Sequence, residues 1–413
     1  MFKPVTTTIL CVVIHAVSLF AQKDCSHDHL GLIPLPDLGP DTYHGMQGGL
    51  YPGGSNERPA DHLAACIERV SQIQPLNAYG DPDPNGRVVM MSIGASNPAT
   101  EFQRFVNTAV VYEPVNNKLS FVNGCEGGIG IQKMNTLDEV YWDLALGALA
   151  DSGFSVNQVQ VIWIEQENTL NTDTVFPAAP NSLVNDYKLL LQVIHEIFPH
   201  VQICYVTARA YAGYADPEEF DLGHGLLYPR DYFNGWAVKF LVEKVINGAP
   251  GFQTEGPSAN IPFITWGSYH WTDGSNPRED GLFLDCDLDV ADDGLHLSGQ
   301  GEYKFGQELF EFFSTDATAA YWFLDQDYSD VEESIAESDV RVYPNPVEGN
   351  QISVVSDTES GRVFSYRLFN VQGALQLSGT SVQEIDISGV PAGMYMMQLQ
   401  YDNQQITKHL IRL

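Results

Sequence analysis

The chain has 413 residues, of which 53 are acidic and 20 are basic, so its formal net charge at pH 7 is -33. A chain of this length can form two or three domains, and a hydrophobic content of 44% is sufficient for a large core. Because so acidic a surface repels nucleic acid and anionic lipid, we expect neither as a partner.

The first 21 residues have the pattern of a secretory signal peptide. Lys3 supplies a positive charge, residues 9–20 (ILCVVIHAVSLF) form an apolar stretch, and Ala21 is a suitable cleavage position. The stretch is too short to span a membrane comfortably, and no later segment has the length of a transmembrane helix. We therefore expect a secreted protein whose mature form begins near Gln22.

The next part of the chain alternates apolar strand patterns with helix patterns. Strands are predicted at 87–94, 118–124, 159–166, 201–207 and 261–269, and helices at 98–110, 136–151, 181–197, 230–247 and 299–313. Strands that are apolar on both faces indicate a parallel sheet covered by helices on both sides. We therefore predict a three-layer α/β/α domain over residues 22–315, with its ligands at the carboxyl ends of the strands.

The sequence changes character twice after this domain. Residues 316–340 are rich in aspartate and glutamate and contain no lysine or arginine, which is typical of a linker. From Arg341 to Leu413, short alternating strand patterns are separated by turns rich in Gly, Asn and Pro. This spacing predicts a small antiparallel β-sandwich.

The sequence blocks of this tail also resemble a known family. They read VYPNPVEGNQISV, YRLFNVQGALQL, IDISGVPAGMYMMQL and a terminal KHLIRL, and their order is similar to that of the type A C-terminal sorting domain of the type IX secretion system. The resemblance implies a Bacteroidetes-type source, interaction with the type IX machinery and export across the outer membrane. The cargo is then expected to be released or attached to the cell surface. An ordinary β-sandwich adhesion module is the alternative.

Polar residues that could form a reactive site follow three predicted strands and precede the last helix. Ser96 follows the first strand in SIGASNP, and Gly124 ends the second in VNGCEGG. WIEQENT places Gln166 and Asn168 after the third strand, and DGLHLSGQG holds Asp293 and His296. A serine needs a nearby base to act as a nucleophile, and a carboxylate can orient that base. Each motif alone also fits a helix cap, a tight turn or a solvated loop.

Taken in order, the four blocks resemble the SGNH (GDSL-like) hydrolases, a family with the flavodoxin-like three-layer fold predicted above. The resemblance covers roughly residues 85–313 and implies a secreted esterase, acting on ester groups that include carbohydrate O-acetyl groups. It implies Ser96 as nucleophile, His296 as base and Asp293 as the residue that orients the base. The oxyanion hole would be formed by the backbone of Ser96, by Gly124 and by the side chain of Asn168, with Gln166 as a rival.

Two blocks depart from the family pattern. The first reads GAS where the family has Gly-Asp-Ser, and the third lacks the glycine two positions before the asparagine. The alternative function is therefore an inactive SGNH-like protein that binds a glycan or another surface ligand.

Other residues have weaker patterns. The aromatic segment after the fourth strand offers Arg209, Tyr211, Tyr214 and Trp236 as substrate-binding residues, although packing of the loop would explain them equally well. Ser55 is a second candidate nucleophile, but it follows no predicted strand.

The cysteines and acidic runs suggest no cofactor. Five cysteines follow the signal sequence, so at least one is unpaired within the chain, and Cys25 with Cys66 is a candidate disulfide. The absence of CxxC spacing argues against zinc. The acidic runs at 81–86 and 285–293 lack the complete ligand pattern of an EF-hand. We therefore predict neither a metal nor a cofactor.

Overall fold

The computed structural model describes residues 23–112, 114–217, 223–325, 340–343, 347, 349–356, 364–370, 375–381, 383–391, 393–401 and 404–412. The predicted signal peptide (1–21) lies outside these ranges, as does most of the predicted linker. Among the described residues, no helix combines the length and the apolar character that crossing a membrane requires.

The main domain begins with short elements that precede its central sheet. These are helix α1 (Leu35–Leu38), the two-residue strands β1 (Thr42–Tyr43) and β2 (Met46–Gln47), and helix α2 (Ala60–Val70). The two strands pair as a hairpin.

The central sheet has five parallel strands. They are β3 (Val88–Gly94), β4 (Leu119–Asn123), β5 (Val159–Glu165), β6 (Ile203–Ala208) and β7 (Ile264–Tyr269), and their spatial order is β4-β3-β5-β6-β7. Strands β3, β5, β6 and β7 are buried along their whole length, which explains why they are apolar on both faces. The predicted parallel sheet is confirmed.

The strands are connected and followed by helices, of which all but the two four-residue helices lie close to the predicted ranges. These are α3 (Ser96–Ala109), α4 (Val140–Asp151), α5 (Ala178–Ile197), α6 (Arg230–Ile246), α7 (Cys286–Asp289), α8 (Gly299–Thr315) and α9 (Ala320–Phe323). Helices α4, α5 and α6 pack on one face of the sheet, and α2, α3, α8 and α9 pack on the other. Alternate residues of β3 accordingly enter different cores, with Met91 in the first and Met90 in the second.

The main domain extends further than its sequence pattern indicates. Trp322 and Phe323 of α9 are buried against α3 and α8, and Asp316 forms an ion pair with Arg58. Residues 316–325 are therefore part of the domain, although their acidic composition resembles that of a linker. Residues 326–339 lie outside the described residues.

The tail forms two antiparallel sheets. Its strands are β8 (Val340–Tyr343), β9 (Gln351–Ser356), β10 (Phe364–Asn370), β11 (Leu375–Ser381), β12 (Glu384–Asp386), β13 (Gly393–Tyr401) and β14 (Gln404–Arg412). The sheet orders are β11-β10-β13-β14 and β12-β9-β8. Apolar residues of both sheets share one core, which includes Ile352, Ile385, Leu368 and Met397. This arrangement is the predicted β-sandwich.

Candidate active site

Three predicted residues are linked by hydrogen bonds at the carboxyl edge of the sheet, although Ser96 is 200 positions from His296 in the chain. The Ser96 Oγ atom lies 2.9 Å from His296 Nε2. His296 Nδ1 lies 2.5 Å from Asp293 Oδ2. When Nδ1 donates to the carboxylate, Nε2 is free to accept the hydroxyl proton, which is the arrangement of a serine nucleophile and its base.

The turn that carries Ser96 is tightly packed. Ser96 is the first residue of α3, directly after the end of β3. A Cβ atom on Gly94 would lie 2.4 Å from the ring of Pro98, so only glycine allows this close passage from strand to helix. Because the first N–H groups of a helix lack intrahelical acceptors, the backbone of Ser96 is oriented to bind negative charge.

The loop that carries the imidazole is also fixed locally. Asp293 Oδ1 accepts hydrogen bonds from the backbone N–H groups of Leu295 and His296. Burial of the Asp293 carboxyl opposes its charge, but these bonds and the bond to His296 outweigh that effect and lower its pKa to about 2. The carboxylate is therefore ionised at neutral pH and keeps the ring in one orientation.

Asn97, which the sequence analysis did not identify, joins the two halves of this arrangement. Its Nδ2 donates to the Leu295 carbonyl, and its Oδ1 accepts from the Leu297 N–H. The side chain is buried and connects the start of α3 directly to both neighbours of His296. We infer that Asn97 is a positioning residue for the Ser96–His296 contact.

Gly124 is not free to donate to a substrate at this site. Its N–H donates to the Ser92 carbonyl, and its own carbonyl accepts from the Tyr141 hydroxyl. Gly127 lies beside Ser96, because a Cβ atom built on it would be 3.9 Å from the Ser96 Cβ. The same GCEGG sequence that suggested Gly124 thus contains a second, exposed glycine beside Ser96.

The two amide candidates are bonded within the protein. Asn168 Nδ2 donates to Asp186, and Asn168 Oδ1 accepts from two backbone N–H groups of its own turn. Gln166 lines the cleft beside Ser96, but its Nε2 donates to the Ile129 carbonyl and to the sulfur of Met134. The geometry therefore does not support Asn168 as an oxyanion donor, and it leaves Gln166 in the cleft wall with its amide already paired.

The four predicted substrate-binding residues divide into one that lines the cleft and three that do not. Arg209 lines the cleft and donates through Nη1 to the Leu226 carbonyl. Tyr211 and Tyr214 are buried and donate to His27 and Asp28 of the N-terminal segment. Trp236 is buried among aromatic rings. The prediction of a substrate contact is thus corrected for these three residues, because Tyr211 and Tyr214 attach the loop to the N-terminal segment and Trp236 packs α6 against neighbouring rings.

A buried ion pair supports the floor of the cleft. Arg230 donates to Glu167 at 2.7 Å, and both side chains are only 2% exposed. Asn234 donates to Glu167 and to the Gln166 carbonyl, and it accepts from the Arg209 N–H. This network fixes the segment directly after β5, which contributes Gln166 and Glu167 to the cleft.

A second buried polar cluster lies beneath Ser96. It consists of Glu101 on α3, Glu165 at the end of β5 and His270 directly after β7. Burial and the neighbouring Glu165 carboxylate raise the pKa of Glu101. Burial opposes the charged form of His270, but the two carboxylates outweigh it and raise the pKa of this imidazole.

The disulfide differs from the predicted pair. Cys25 is bonded to Cys286, while Cys66, Cys125 and Cys204 are free. Cys66 is on the buried face of α2, which explains why it does not meet Cys25 at the surface. The observed bond attaches the N-terminal segment to α7, just before the loop of Asp293 and His296.

Ser55, the other candidate nucleophile, lies in a turn. Its hydroxyl donates to the Glu57 carbonyl and accepts from the Glu57 N–H. The structure brings neither His296 nor another described histidine ring within hydrogen-bonding distance of it.

Comparison with known proteins defines the class of the tail. Residues 341–412 match the family model described as the secretion system C-terminal sorting domain. The chain therefore carries a type IX sorting domain, which implies handling by the type IX secretion machinery. It follows that the protein is exported across the outer membrane to the cell surface or the extracellular space.

The comparisons assign no family to the main domain. No curated protein matches the chain. Latent PorU from Porphyromonas gingivalis is 17% identical with a TM-score of 0.15, covering 18% of this chain and 9% of that one. An endo-beta-1,4-mannanase double mutant from Cellulomonas fimi is 12% identical with a TM-score of 0.21, covering 77% of this chain and 58% of that one. The endo-beta-1,4-mannanase from Thermotoga petrophila is 12% identical with a TM-score of 0.18, covering 67% and 72%.

This chain thus spans less than two thirds of the first two of these structures. Similarity at such TM-scores carries no argument about fold or activity.

Proposed function

We propose that the main domain is an exported serine esterase of the SGNH type. The observation that carries the proposal is the hydrogen-bonded series from Ser96 through His296 to Asp293 beside a cleft. Its location at the carboxyl edge of a parallel sheet supports the proposal further, because ligands of such sheets bind there. The order of the strand-end motifs is the reason for naming the SGNH type.

In the proposed reaction, Ser96 Oγ attacks the carbonyl carbon of an ester while His296 Nε2 takes the hydroxyl proton. The tetrahedral intermediate collapses, and the protonated imidazole gives the proton to the departing alcohol oxygen. The acyl group is then bound to Ser96 as an ester. Water attacks this ester with His296 again as base, which releases a carboxylic acid and restores the serine.

Backbone N–H groups are the proposed donors to the negative oxygen of the intermediate. Ser96 supplies one at the first position of α3, where the helix dipole also favours negative charge. Gly127, which has no side chain to block the approach, is proposed as the second. Removal of one such donor typically lowers the rate by about 10²–10³-fold.

The cleft favours a small acyl group. Leu226, Leu295 and Pro98 contribute apolar surface beside Ser96, and Arg209 contributes a positive charge. We propose an ester of an extracellular glycan or similar material as substrate, since the sorting domain exports the protein. The acetyl group of such an ester would pack against the apolar surface, while its alcohol group would extend toward solvent.

One observation favours a second function, the binding of a glycan or surface ligand without hydrolysis. In this structure both amides of the third block are paired inside the protein, so the proposed oxyanion hole has no side-chain amide. A binding protein would keep its affinity in Ser96→Ala, whereas an esterase would lose its reaction.

Labelling with a fluorophosphonate probe tests the reaction directly. We expect the secreted protein to form one covalent adduct on Ser96 and to hydrolyse p-nitrophenyl acetate. Ser96→Ala should lose the adduct and at least about 10³-fold in kcat/KM. Ser55→Ala is the matched control and should keep both. A folded protein that forms no adduct on Ser96 would contradict the esterase and favour the binding function.

A further inference from the structure

The cluster of Glu101, Glu165 and His270 is fully enclosed in the domain. The exposed fractions of the three residues are 0%, 3% and 0%. Carboxylates are almost never buried this completely unless they are paired, because the loss of hydration costs several kcal/mol per ion. The cluster therefore needs a compensating charge.

Among the described residues, the cationic partner within 4.0 Å of these carboxylates is His270 itself, and one protonated imidazole can offset only one of the two negative charges. Within the part of the chain that the structure describes, no lysine or arginine nitrogen lies within 4.0 Å of either carboxylate. Both oxygens of Glu101, Oε2 of Glu165 and Nδ1 of His270 lack hydrogen-bond partners. The buried pair of Glu167 and Arg230 nearby shows the usual solution, in which a guanidinium neutralises the carboxylate.

The distances in the cluster lie at the long end of the hydrogen-bond range. His270 Nδ1 is 3.3 Å from an oxygen of Glu101 and also 3.3 Å from an oxygen of Glu165. An N–H···O bond is usually shorter, at about 2.7–3.2 Å, and an N–H group shared between two acceptors is aligned less well with each of them. Ligands at about 2.0–2.1 Å from a tetrahedral ion are separated by about 3.3–3.4 Å.

The other ring nitrogen is held as it is in metal-bound histidines. His270 Nε2 lies 2.8 Å from the Ser268 hydroxyl, and the ring packs against Phe305. A bond of this kind fixes the orientation of a ligating imidazole. It leaves Nδ1 facing the two carboxylates, and the three ligand atoms lie within 4.8 Å of one another.

From this geometry we propose that Glu101, Glu165 and His270 bind one Zn²⁺ ion. Two carboxylates and a neutral imidazole would exactly offset the two positive charges, so the buried group would become neutral as a whole. A nitrogen ligand suits zinc better than magnesium or calcium, which prefer oxygen alone. The ligands are 64 and 105 positions apart in the chain (from 101 to 165 and from 165 to 270), so no short motif reveals them.

The ion would connect three elements that form the active-site edge. Glu101 is on the helix that begins with Ser96, Glu165 ends β5 and lines the cleft, and His270 follows β7. The role proposed for zinc is to hold these elements together, and this role does not depend on esterase activity. The inference replaces the earlier expectation of no metal.

Metal analysis of the secreted protein tests the proposal. The protein is stripped with a chelator, incubated with Zn²⁺, Mn²⁺ or Fe²⁺, gel-filtered and measured by mass spectrometry. We expect one retained zinc per chain and a melting temperature several degrees above that of the stripped protein. His270→Gln and Glu101→Gln should retain less than about a tenth of the zinc, because each loses a ligand. His62→Gln, which alters another buried histidine, is the control and should retain one zinc.

Two results of the metal analysis would exclude the site. X-ray absorption of the wild-type protein is an independent test that needs no variant. The site is excluded if the wild-type protein retains no zinc, or if His270→Gln retains as much as the wild type. Retention of Mn²⁺ or Fe²⁺ in place of zinc would overturn the assignment of the metal. X-ray absorption at the zinc edge should show only nitrogen and oxygen neighbours near 2.0–2.1 Å, and a sulfur neighbour near 2.3 Å would place the ion elsewhere.

Discussion

The two sides of the cleft differ in how their polar groups are used. On one side, Ser96, His296 and Asp293 form a continuous series of hydrogen bonds that ends at the cleft. On the other side, Gln166 and Glu167 also line the cleft, but their side chains bond to the protein behind them. The first side, which is the proposed reactive side, therefore presents a hydroxyl and an imidazole to the cleft, and the second side presents a fixed wall.

This difference has a structural cause. His296 is on a loop whose side chains are fixed by local bonds, and 43% of its side chain remains exposed. Glu167 is 2% exposed and needs Arg230 to neutralise it. A buried charge must use its bonding capacity inside the protein, so residues on the second side have little left for a substrate.

Replacement of Asp293 tests the reactive side with the largest expected effect. Asp293→Asn would favour the wrong tautomer of His296, because an amide can donate to Nδ1 and leave Nε2 protonated. We expect kcat/KM for p-nitrophenyl acetate to fall by about 10³–10⁴-fold. The exposed neighbour Asp292 is the control, and Asp292→Asn should change the rate less than twofold. Equal rates for the two variants would remove Asp293 from the mechanism.

Replacement of Arg230 tests the wall. Arg230→Met leaves Glu167 buried without its partner, and we expect the free energy of unfolding to fall by about 3–5 kcal/mol. The exposed pair of Arg104 and Glu302 provides the comparison, because Arg104 is 40% exposed. Arg104→Met should cost no more than about 1 kcal/mol. Urea denaturation measures both values, and similar losses would contradict a special role for the buried pair.

The disulfide is expected to stabilise the reactive side. The bond between Cys25 and Cys286 closes a loop of 261 positions, and Lys23 adds hydrogen bonds to the carbonyls of Cys286 and Val290. Replacement of both cysteines by serine should lower the free energy of unfolding by about 2–5 kcal/mol. Thermal denaturation with and without reductant provides the control, because reductant should destabilise the wild type and leave the double variant unchanged.

The sequence predicts the sheet and the reactive side better than it predicts the wall. Strand ends follow from apolar runs that stop at polar residues, so the pattern predicts that Ser96 and Gln166 follow strands. The choice of Ser96, Asp293 and His296 depends instead on the order of the four sequence blocks and its resemblance to the SGNH pattern, because each motif alone is common. The direction of the Asn168 side chain depends on Asp186, and the partner of Cys25 is 261 positions away. Such contacts arise from tertiary packing, which local patterns do not encode.

Gly127 and Asn168 are alternative candidates for the second oxyanion donor, and replacement of each should show a smaller change in kcat/KM than replacement of Asp293. Gly127→Ala places a methyl group beside Ser96, where it would crowd the bound ester. We expect kcat/KM to fall by about tenfold, which corresponds to a rise of about 1.4 kcal/mol in the activation free energy. Asn168→Ala should change kcat/KM less than twofold, because its amide bonds to Asp186 away from the cleft. The opposite result would restore Asn168 as an oxyanion donor. Steady-state kinetics with unchanged circular dichroism spectra decides between them.

Acid titration again concerns the reactive side and tests the charge of Asp293. The pKa of Asp293 is about 2 in the folded protein and about 3.9 in an unfolded chain, so between these values the unfolded state binds more protons. The stabilisation by Asp293 is therefore complete above about pH 4 and is lost as the pH falls toward 2. The difference in unfolding free energy between the wild type and Asp293→Asn should shrink across this range, whereas Asp292→Asn should follow the wild type. If this difference in unfolding free energy stays constant from pH 5 to pH 2, folding does not lower the pKa of Asp293, and its bond to His296 does not stabilise the protein.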